Sequence, residues 1–540
     1  MDRKMLRRKL CGLFTPIKYA LLILLSALVC IGGRTPELLP GQLAEIALTF
    51  ALSEAVLARS VRWGRIVSDV LSVLIAAQLL VLKFGSTYLS MIMLTNLDSF
   101  NDLSGSMGVY ISWVVPSIAA ALLPVGRVFS RRSAALAALA VTVAAEVLLI
   151  PGGMVTPGSA YVSLAGRWAD HRRITAAIAA GKADHAAFFR EGIAGGTDKP
   201  EGLSDRPNVV IVFTEGLSQH IVDDERDIMA NVRDWQGRSL TFANYYNHTF
   251  ATYRALIGQL YSGFQLNNED PNCLISLHDI LRGRGYDTIF LNTEPNDAYV
   301  TGYINALGFS EVRYDPKTEC KGINNSLSDR QAYEAVRAAL EEQAEKDAPC
   351  LICIYTYGTH LAQDSVGARF GDGSDPELNK FYDLDLAFGD FMVWFSEAEC
   401  TKDTLLVFTA DHAAYADSYY KATFPDAGRA DDELDTVPLF FYYNRVAPQV
   451  IDVGGRNSID LAPTVLDLLD VSAPNYFLGE SLFLPRDTGG LSPDTLFHGA
   501  DGLLCSDGGA IRSLTASEKE QAEALLIRYF TARLEPPEES

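Results

Sequence analysis

Long apolar runs crowd the first 152 residues of this chain. A helix needs about 20 such residues to cross the hydrocarbon core of a bilayer. Lipid gives backbone N–H and C=O groups no partner, so a stretch of this kind is confined to helix. Five spans are expected, near 12–32, 40–58, 66–84, 106–124 and 134–152. Two glutamates, Glu45 and Glu54, sit in the second, and Glu146 in the fifth is either functional or a contact with another helix. Arg3, Lys4, Arg7, Arg8 and Lys9 precede the first span, Arg59, Arg62 and Arg65 follow the second, and Arg127, Arg131 and Arg132 follow the fourth. The alternate loops carry only Arg34 and Lys83. Positive charge stays inside, so the N-terminus is expected in the cytoplasm and everything after the fifth span outside. That is a multi-pass protein of the plasma membrane with an extracytoplasmic C-terminal domain.

Residues 153–205 form a connector, in which Ala160 to Ile193 reads as amphipathic helix with Trp168, Ile174, Ile178, Phe188 and Phe189 on its apolar side. Such a segment lies along a membrane surface or packs on the domain that follows. The rest, 206–540, has the mixed composition of a globular domain. A formal net charge of −22 leaves no basic field for phosphate backbones and argues against nucleic-acid partners.

From 208 onward strands and helices alternate. Strands are expected at 208–214, 287–292, 350–357, 404–409 and 438–443, and helices at 252–262, 275–284, 327–345, 377–397 and 458–470. This order implies an α/β domain whose central sheet is mostly parallel. Three of the apolar runs end in chemistry. NVVIVFTEG delivers Glu215, CLICIYTYGTH delivers His360, and DTLLVFTADHA delivers Asp411 and His412. In open α/β sheets ligands bind just beyond the carboxyl ends of the strands, and a carboxylate beside an imidazole is a good divalent-metal pair. Each motif alone is also common loop surface; together they point to one shared site.

The segment NYYNHTFATYRALIGQLYSG supplies a nucleophile. Thr252 stands where a loop becomes helix, facing free N–H groups and the positive end of the dipole. A hydroxyl there, in contact with a divalent metal, can ionise and attack phosphorus or sulfur. Alternatively Thr252 is only an N-cap, and Thr249 is a rival nucleophile. His220 and His248 are read as structural, and His498 as a loop or strand residue.

VVIVFTEG, TYRALIGQLYSG, TYGTH, TADH, VPLFFYY at 437–443, IDLAPTVLDLLDV at 459–471 and GESLF at 479–483 together resemble the alkaline phosphatase and sulfatase superfamily. Within it the chain is most similar to membrane-anchored lipoteichoic acid synthases and lipid A phosphoethanolamine transferases, over roughly 208–485. The resemblance implies a sulfatase-like domain in which Glu215, Thr252, Asp411 and His412 bind one divalent ion, manganese or zinc. It makes Thr252 the nucleophile that carries a phospho-intermediate, and His360 a phosphate contact or the proton donor to the leaving alcohol. Arg254 becomes a candidate phosphate contact. No C/S-x-P-x-R motif follows the first strand, which counts against sulfate ester hydrolysis, and DHAAYAD replaces the DHGE of the phosphoethanolamine transferases.

The expected activity is therefore transfer of glycerophosphate or phosphoethanolamine from a membrane phospholipid to an envelope glycan or glycolipid. A membrane-tethered phosphoric or sulfuric ester hydrolase is the alternative, and a catalytically inactive envelope-binding domain a second. Six cysteines fall in the external part, where disulfides persist, and the pairs Cys350–Cys400 and Cys273–Cys320 are expected.

Overall fold

The computed structural model describes residues 3–95, 107–314, 318–361, 363–486, 491–500 and 502–537. Two compact units account for the chain: residues 1–173 with 417–422, and residues 174–416 with 423–540.

The first unit is helical. Among the described residues three helices are long and apolar enough to cross a membrane: Phe14–Gly32 within the longer helix Arg3–Gly32, Val61–Gly85, and Arg132–Leu149. These match the first, third and fifth expected spans. The second expected span is also a helix, Leu39–Leu57, but Gln42, Thr49, Ser53 and Glu54 are all buried along it. Glu54 is buried within the unit, and its carboxylate accepts the N–H groups of Val128 and Phe129 at 2.9–3.0 Å. The fourth is the short helix Met107–Ala121, 15 residues long, which by itself falls short of a bilayer; Thr95 to Ser106 lies largely outside the described residues. Glu146 is half-buried, with Oε1 left without a partner.

The second unit is built on an eight-stranded sheet. Its strands are β1 (Asn208–Thr214), β2 (Leu240–Ala243), β3 (Asp287–Leu291), β4 (Glu311–Arg313), β5 (Cys350–Tyr355), β6 (Thr404–Ala410), β7 (Leu439–Tyr442) and β8 (Gln449–Asp452). Their spatial order is β4-β3-β5-β1-β6-β7-β2-β8. Every pairing is parallel except those of β7, which runs against both β6 and β2. The expected mostly parallel sheet is thus present, and its five long apolar runs are all strands. β1 and β6 sit at its centre with side chains buried on both faces, which is why they read as unbroken runs of Val, Leu, Ile and Phe rather than as alternation. Helix Pro376–Glu397 opens with Pro at its first position and with Asp375 capping the N–H of Glu377. Its Phe388 packs on Phe408 of β6, centroids 4.8 Å apart. A second sheet of three antiparallel strands, β9 (Leu496–Gly499), β10 (Gly502–Cys505) and β11 (Arg512–Ser513), follows near the C-terminus.

Two expectations change. The connector helix runs Pro157–Ala180 and stops at Gly181, well short of Ile193. Ile174, Ile178 and Phe188 join a buried cluster with Phe264, Leu526 and Tyr529, while Trp168 and Phe189 stay exposed. The cysteines are unpaired: Cys273, Cys320, Cys350, Cys353, Cys400 and Cys505 are all free thiols. Cys350 is buried in β5, and Cys400 lies in the short turn of helix Glu399–Thr401.

Candidate metal and nucleophile centre

β1, β5 and β6 are parallel neighbours, so their carboxyl ends meet at one edge of the sheet. Glu215 follows β1 and Asp411 follows β6. Between them the chain turns through Gly216 at φ 50°, a conformation in which glycine carries no Cβ penalty. That turn aims the Gly216 N–H at Asp411 Oδ1, 2.9 Å away, and the His412 N–H reaches the same oxygen at 2.6 Å. Oδ1 is therefore satisfied twice. Oδ2 is buried and has no hydrogen-bond partner.

His412 donates from Nδ1 to the Ala413 carbonyl at 2.8 Å, which leaves the Nε2 lone pair facing inward. Nε2 lies 3.5 Å from Asp411 Oδ2 and 3.5 Å from Glu215 Oε1. Ligand atoms of Glu215, Asp411 and His412 all fall within 4.8 Å of one another, and all three residues are buried. Electron-rich atoms on three sides, one of them an orphaned carboxylate oxygen, fit a divalent cation. Electrostatics agree. Burial and the nearby Glu215 push the Asp411 carboxyl up to about 7, against an opposing pull from His412. Burial works against charge on His412, yet Asp411 and Glu215 draw its proton affinity above the ordinary histidine value.

The nucleophile candidate joins this cluster. The backbone enters helix Thr252–Tyr261 through Ala251 at φ 78°, a region L-residues rarely occupy and one that clusters at functional sites. The turn places Thr252 Oγ1 3.0 Å from Glu215 Oε2, to which it donates. Gln259, two turns further along, donates to the carbonyls of Ala410 and Asp411 at 3.1 and 3.0 Å and ties the helix to the end of β6. The rival Thr249 has a different partner: its hydroxyl is buried and donates to the His498 carbonyl at 2.7 Å. His498 lies on β9, and His248, fully buried against Ser458 at 2.6 Å, is held neutral with its pKa pushed down to about 3 by burial. His220 pairs with Asp435 at 3.1 Å.

His360 sits in the loop after β5 and stacks on Tyr357, centroids 4.8 Å apart, outside the three-residue cluster. The loop itself touches the centre: Thr359 Oγ1 donates to the Glu215 carbonyl at 2.5 Å, and Thr356 Oγ1 accepts the Glu215 N–H at 3.3 Å. Asp329 accepts the Gly358 N–H at 3.1 Å from below. Arg254 is buried, its Nε is without a partner, and burial pulls down its proton affinity against the attraction of Glu433. Gln259, Thr356, Thr359 and Asp329 were not singled out in the sequence. Gln259 carried a signal in its spacing, seven residues after Thr252 and hence on the same helix face; the others become visible only when distant segments meet.

Residues 207–471 match the sulfatase family model. Lipoteichoic acid synthase 2 of Bacillus subtilis (strain 168) is 22% identical over 320 residues, 53% of this chain and 48% of that protein, so the chain spans about half the length of this relative. The crystal structure of the lipoteichoic acid synthase LtaP from Listeria monocytogenes superposes with a TM-score of 0.50 at 18% identity, covering 63% of this chain and 96% of that one. The integral membrane lipooligosaccharide phosphoethanolamine transferase A from Neisseria meningitidis gives 0.50 at 14% identity, covering 84% and 95%. At these identities the two structural likenesses establish the fold.

Proposed function

Since residues 207–471 match the sulfatase family model, we propose that this chain is a membrane-anchored phosphotransferase of the extracytoplasmic face, of the alkaline phosphatase/sulfatase superfamily. It moves a phospho-alcohol head group, glycerophosphate or phosphoethanolamine, from a membrane phospholipid to a hydroxyl of an envelope glycan or glycolipid. The observation that carries the reading is the Thr252 hydroxyl lodged 3.0 Å from Glu215 inside the Glu215–Asp411–His412 cluster.

Glu215, Asp411 and His412, with Thr252 Oγ1 as a further donor atom, would hold one divalent ion, manganese or zinc. Such an ion supplies Lewis acidity that stabilises an ionised hydroxyl and the charge on phosphoryl oxygens. In the first half-reaction Thr252 Oγ1 gives up its proton, bonded in the structure towards Glu215 Oε2, and attacks phosphorus. The bond from phosphorus to the diacylglycerol oxygen breaks, and His360 delivers a proton to that oxygen. In the second the acceptor hydroxyl gives its proton to His360, now neutral, and attacks phosphorus, while the bond from phosphorus to Thr252 Oγ1 breaks and that oxygen takes back its proton from Glu215. Arg254 is a buried cation at the start of the same helix, suited to a phosphate oxygen. The N–H groups of the first helical turn add to the same anion site.

Intact mass after incubation with manganese or zinc and mixed phospholipids tests this. Wild type is expected to gain a head-group adduct that Thr252→Ala lacks. Head-group phosphate released without an adduct would favour a hydrolase, and neither adduct nor turnover with either metal would refute the enzymatic reading.

A further inference from the structure

A cavity of about 500 Å³ opens in the second unit beside the helix that begins with Thr252. Its size is that of a small-molecule site. Two of its walls are chemically distinct. One is aromatic: Tyr261, Tyr299 and Tyr303. The Tyr261 hydroxyl is committed to the Leu307 carbonyl at 3.0 Å and the Tyr303 hydroxyl to the Tyr253 carbonyl at 2.6 Å. With those polar tips bonded to backbone, the two rings offer the cavity carbon rather than oxygen. The other wall is the loop 268–272, which brings the amides of Asn268 and Asn272 and the carboxylates of Glu269 and Asp270.

Space between the walls comes from helix Ala298–Ala306, which places Ala298, Gly302 and Ala306 four residues apart on one face. A Cβ added at Gly302 would meet nothing within 4 Å. Among the described lining residues there is no Lys, Arg or His. The nearby Arg533 is engaged with the lining carboxylate of Asp270 at 3.1 Å. A phosphate would meet the carboxylates of Glu269 and Asp270, the one base beside them already paired, so the donor head group is disfavoured.

Flat apolar ring faces on one side and a cluster of hydrogen-bond acceptors and amides on the other suit a pyranose, whose C–H face is apolar and whose rim is hydroxyl. Position adds to chemistry. Tyr253, whose carbonyl holds Tyr303, is the residue after Thr252, and its ring packs on Tyr303 at 4.1 Å between centroids. At 1.5 Å rise per residue, the cavity wall begins at Ile257 roughly 8 Å along the helix from Thr252 and ends at Tyr261 at roughly 14 Å. That is the span a sugar chain would follow away from a hydroxyl reacting at Thr252.

We infer that this cavity is an uncharged-sugar subsite that holds the acceptor glycan, a conclusion that rests on the transferase reading above. The test is saturation-transfer NMR on the full chain, in a detergent without a sugar head group, with methyl β-glucopyranoside as the probe. Wild type is expected to saturate the ring protons with millimolar affinity. Gly302→Leu fills the cavity on a helix that tolerates leucine better than glycine, and Glu269→Ala removes an exposed acceptor without touching the core. Each should cut the signal at least about fivefold with the melting temperature kept. Absence of transfer in the wild type, undiminished transfer in Gly302→Leu, or displacement of the probe by an equal concentration of glycerol phosphate would each overturn the inference. The Thr252 adduct, measured separately on wild type, keeps the two claims apart. An adduct without sugar binding removes the subsite alone, and sugar binding without an adduct removes the transferase.

Discussion

Asp411→Asn should make the metal-free protein more stable while abolishing its response to metal. The amide oxygen of Asn keeps the acceptor position that Oδ1 holds for the N–H groups of Gly216 and His412. What changes is the second oxygen, buried and unpartnered beside Glu215 and His412. The ordinary carboxyl value of 3.8 is raised to about 7 in the fold, chiefly by burial. A carboxyl with a raised folded value lends the fold stability that is fully present below its unfolded value and is lost as pH rises through the folded one. At 1.36 kcal/mol per tenfold change in proton affinity, the loss reaches about 4 kcal/mol by pH 8 and less than half of that at pH 5. Asparagine does not ionise and escapes it. For a unit of this size about 2 °C per kcal/mol is expected, so the variant should melt up to about 8 °C higher at pH 8 in chelator. The gap should shrink at pH 5. Manganese at a hundred times its dissociation constant should then stabilise the wild type by about 2.7 kcal/mol and leave the variant unmoved. Differential scanning at the two pH values, with chelator and with metal, reads all of this. A variant that melts below wild type at pH 8 in chelator, or that gains as much from metal, would show that Asp411 is not a strained ligand.

Other outcomes follow from the same geometry. Arg254→Met removes a buried cation whose Nε is unbonded, so kcat/KM on a labelled phospholipid should fall about 10- to 100-fold, the worth of a hydrogen bond to a charged group, with melting unchanged or raised; a change below twofold would refute a phosphate role. Gly358→Ala would set a Cβ 2.1 Å from Asp329 Oδ2, and the overpacking should cost about 1–3 kcal/mol in unfolding measurements and displace the loop that carries Thr359 and His360. His360→Ala should slow head-group transfer at least about 100-fold at neutral pH, and less for donors whose leaving alcohol is more acidic, a series that separates proton donation from simple contact. Thr249→Ala should lose about 1 kcal/mol with its hydrogen bond to His498, seen in thermal melts, and still form the Thr252 adduct by mass.

The strands and the chemistry at their ends could be read in the chain because both are local. β1, β5 and β6 are buried on both faces, so burial wrote continuous apolar runs, and the polar residue ending each run marks where the strand leaves the core. Glu215, Asp411 and His412 were legible in that way, Thr252 as one of two threonines before an apolar helix, and the first, third and fifth apolar helices from their long runs. Other features depend on segments far apart in sequence. The choice of Thr252 over Thr249 rests on which hydroxyl meets Glu215 and which meets a carbonyl 249 positions away. Neither the reversed direction of β7 nor the free thiols leave a mark on composition or spacing, since strand direction and Sγ separation are set by how the sheet assembles. Polar residues in the helix Leu39–Leu57 read as misfits until Val128 and Phe129 supply their N–H groups to Glu54. The 500 Å³ cavity is likewise a product of packing, because the loop 268–272 and the small-residue face of Ala298–Ala306 meet only in the folded unit. Periodicity and burial act on neighbours along the chain and so are written in it; distances between hydroxyls, carboxylates and rings from separate elements exist only once the sheet has brought them together.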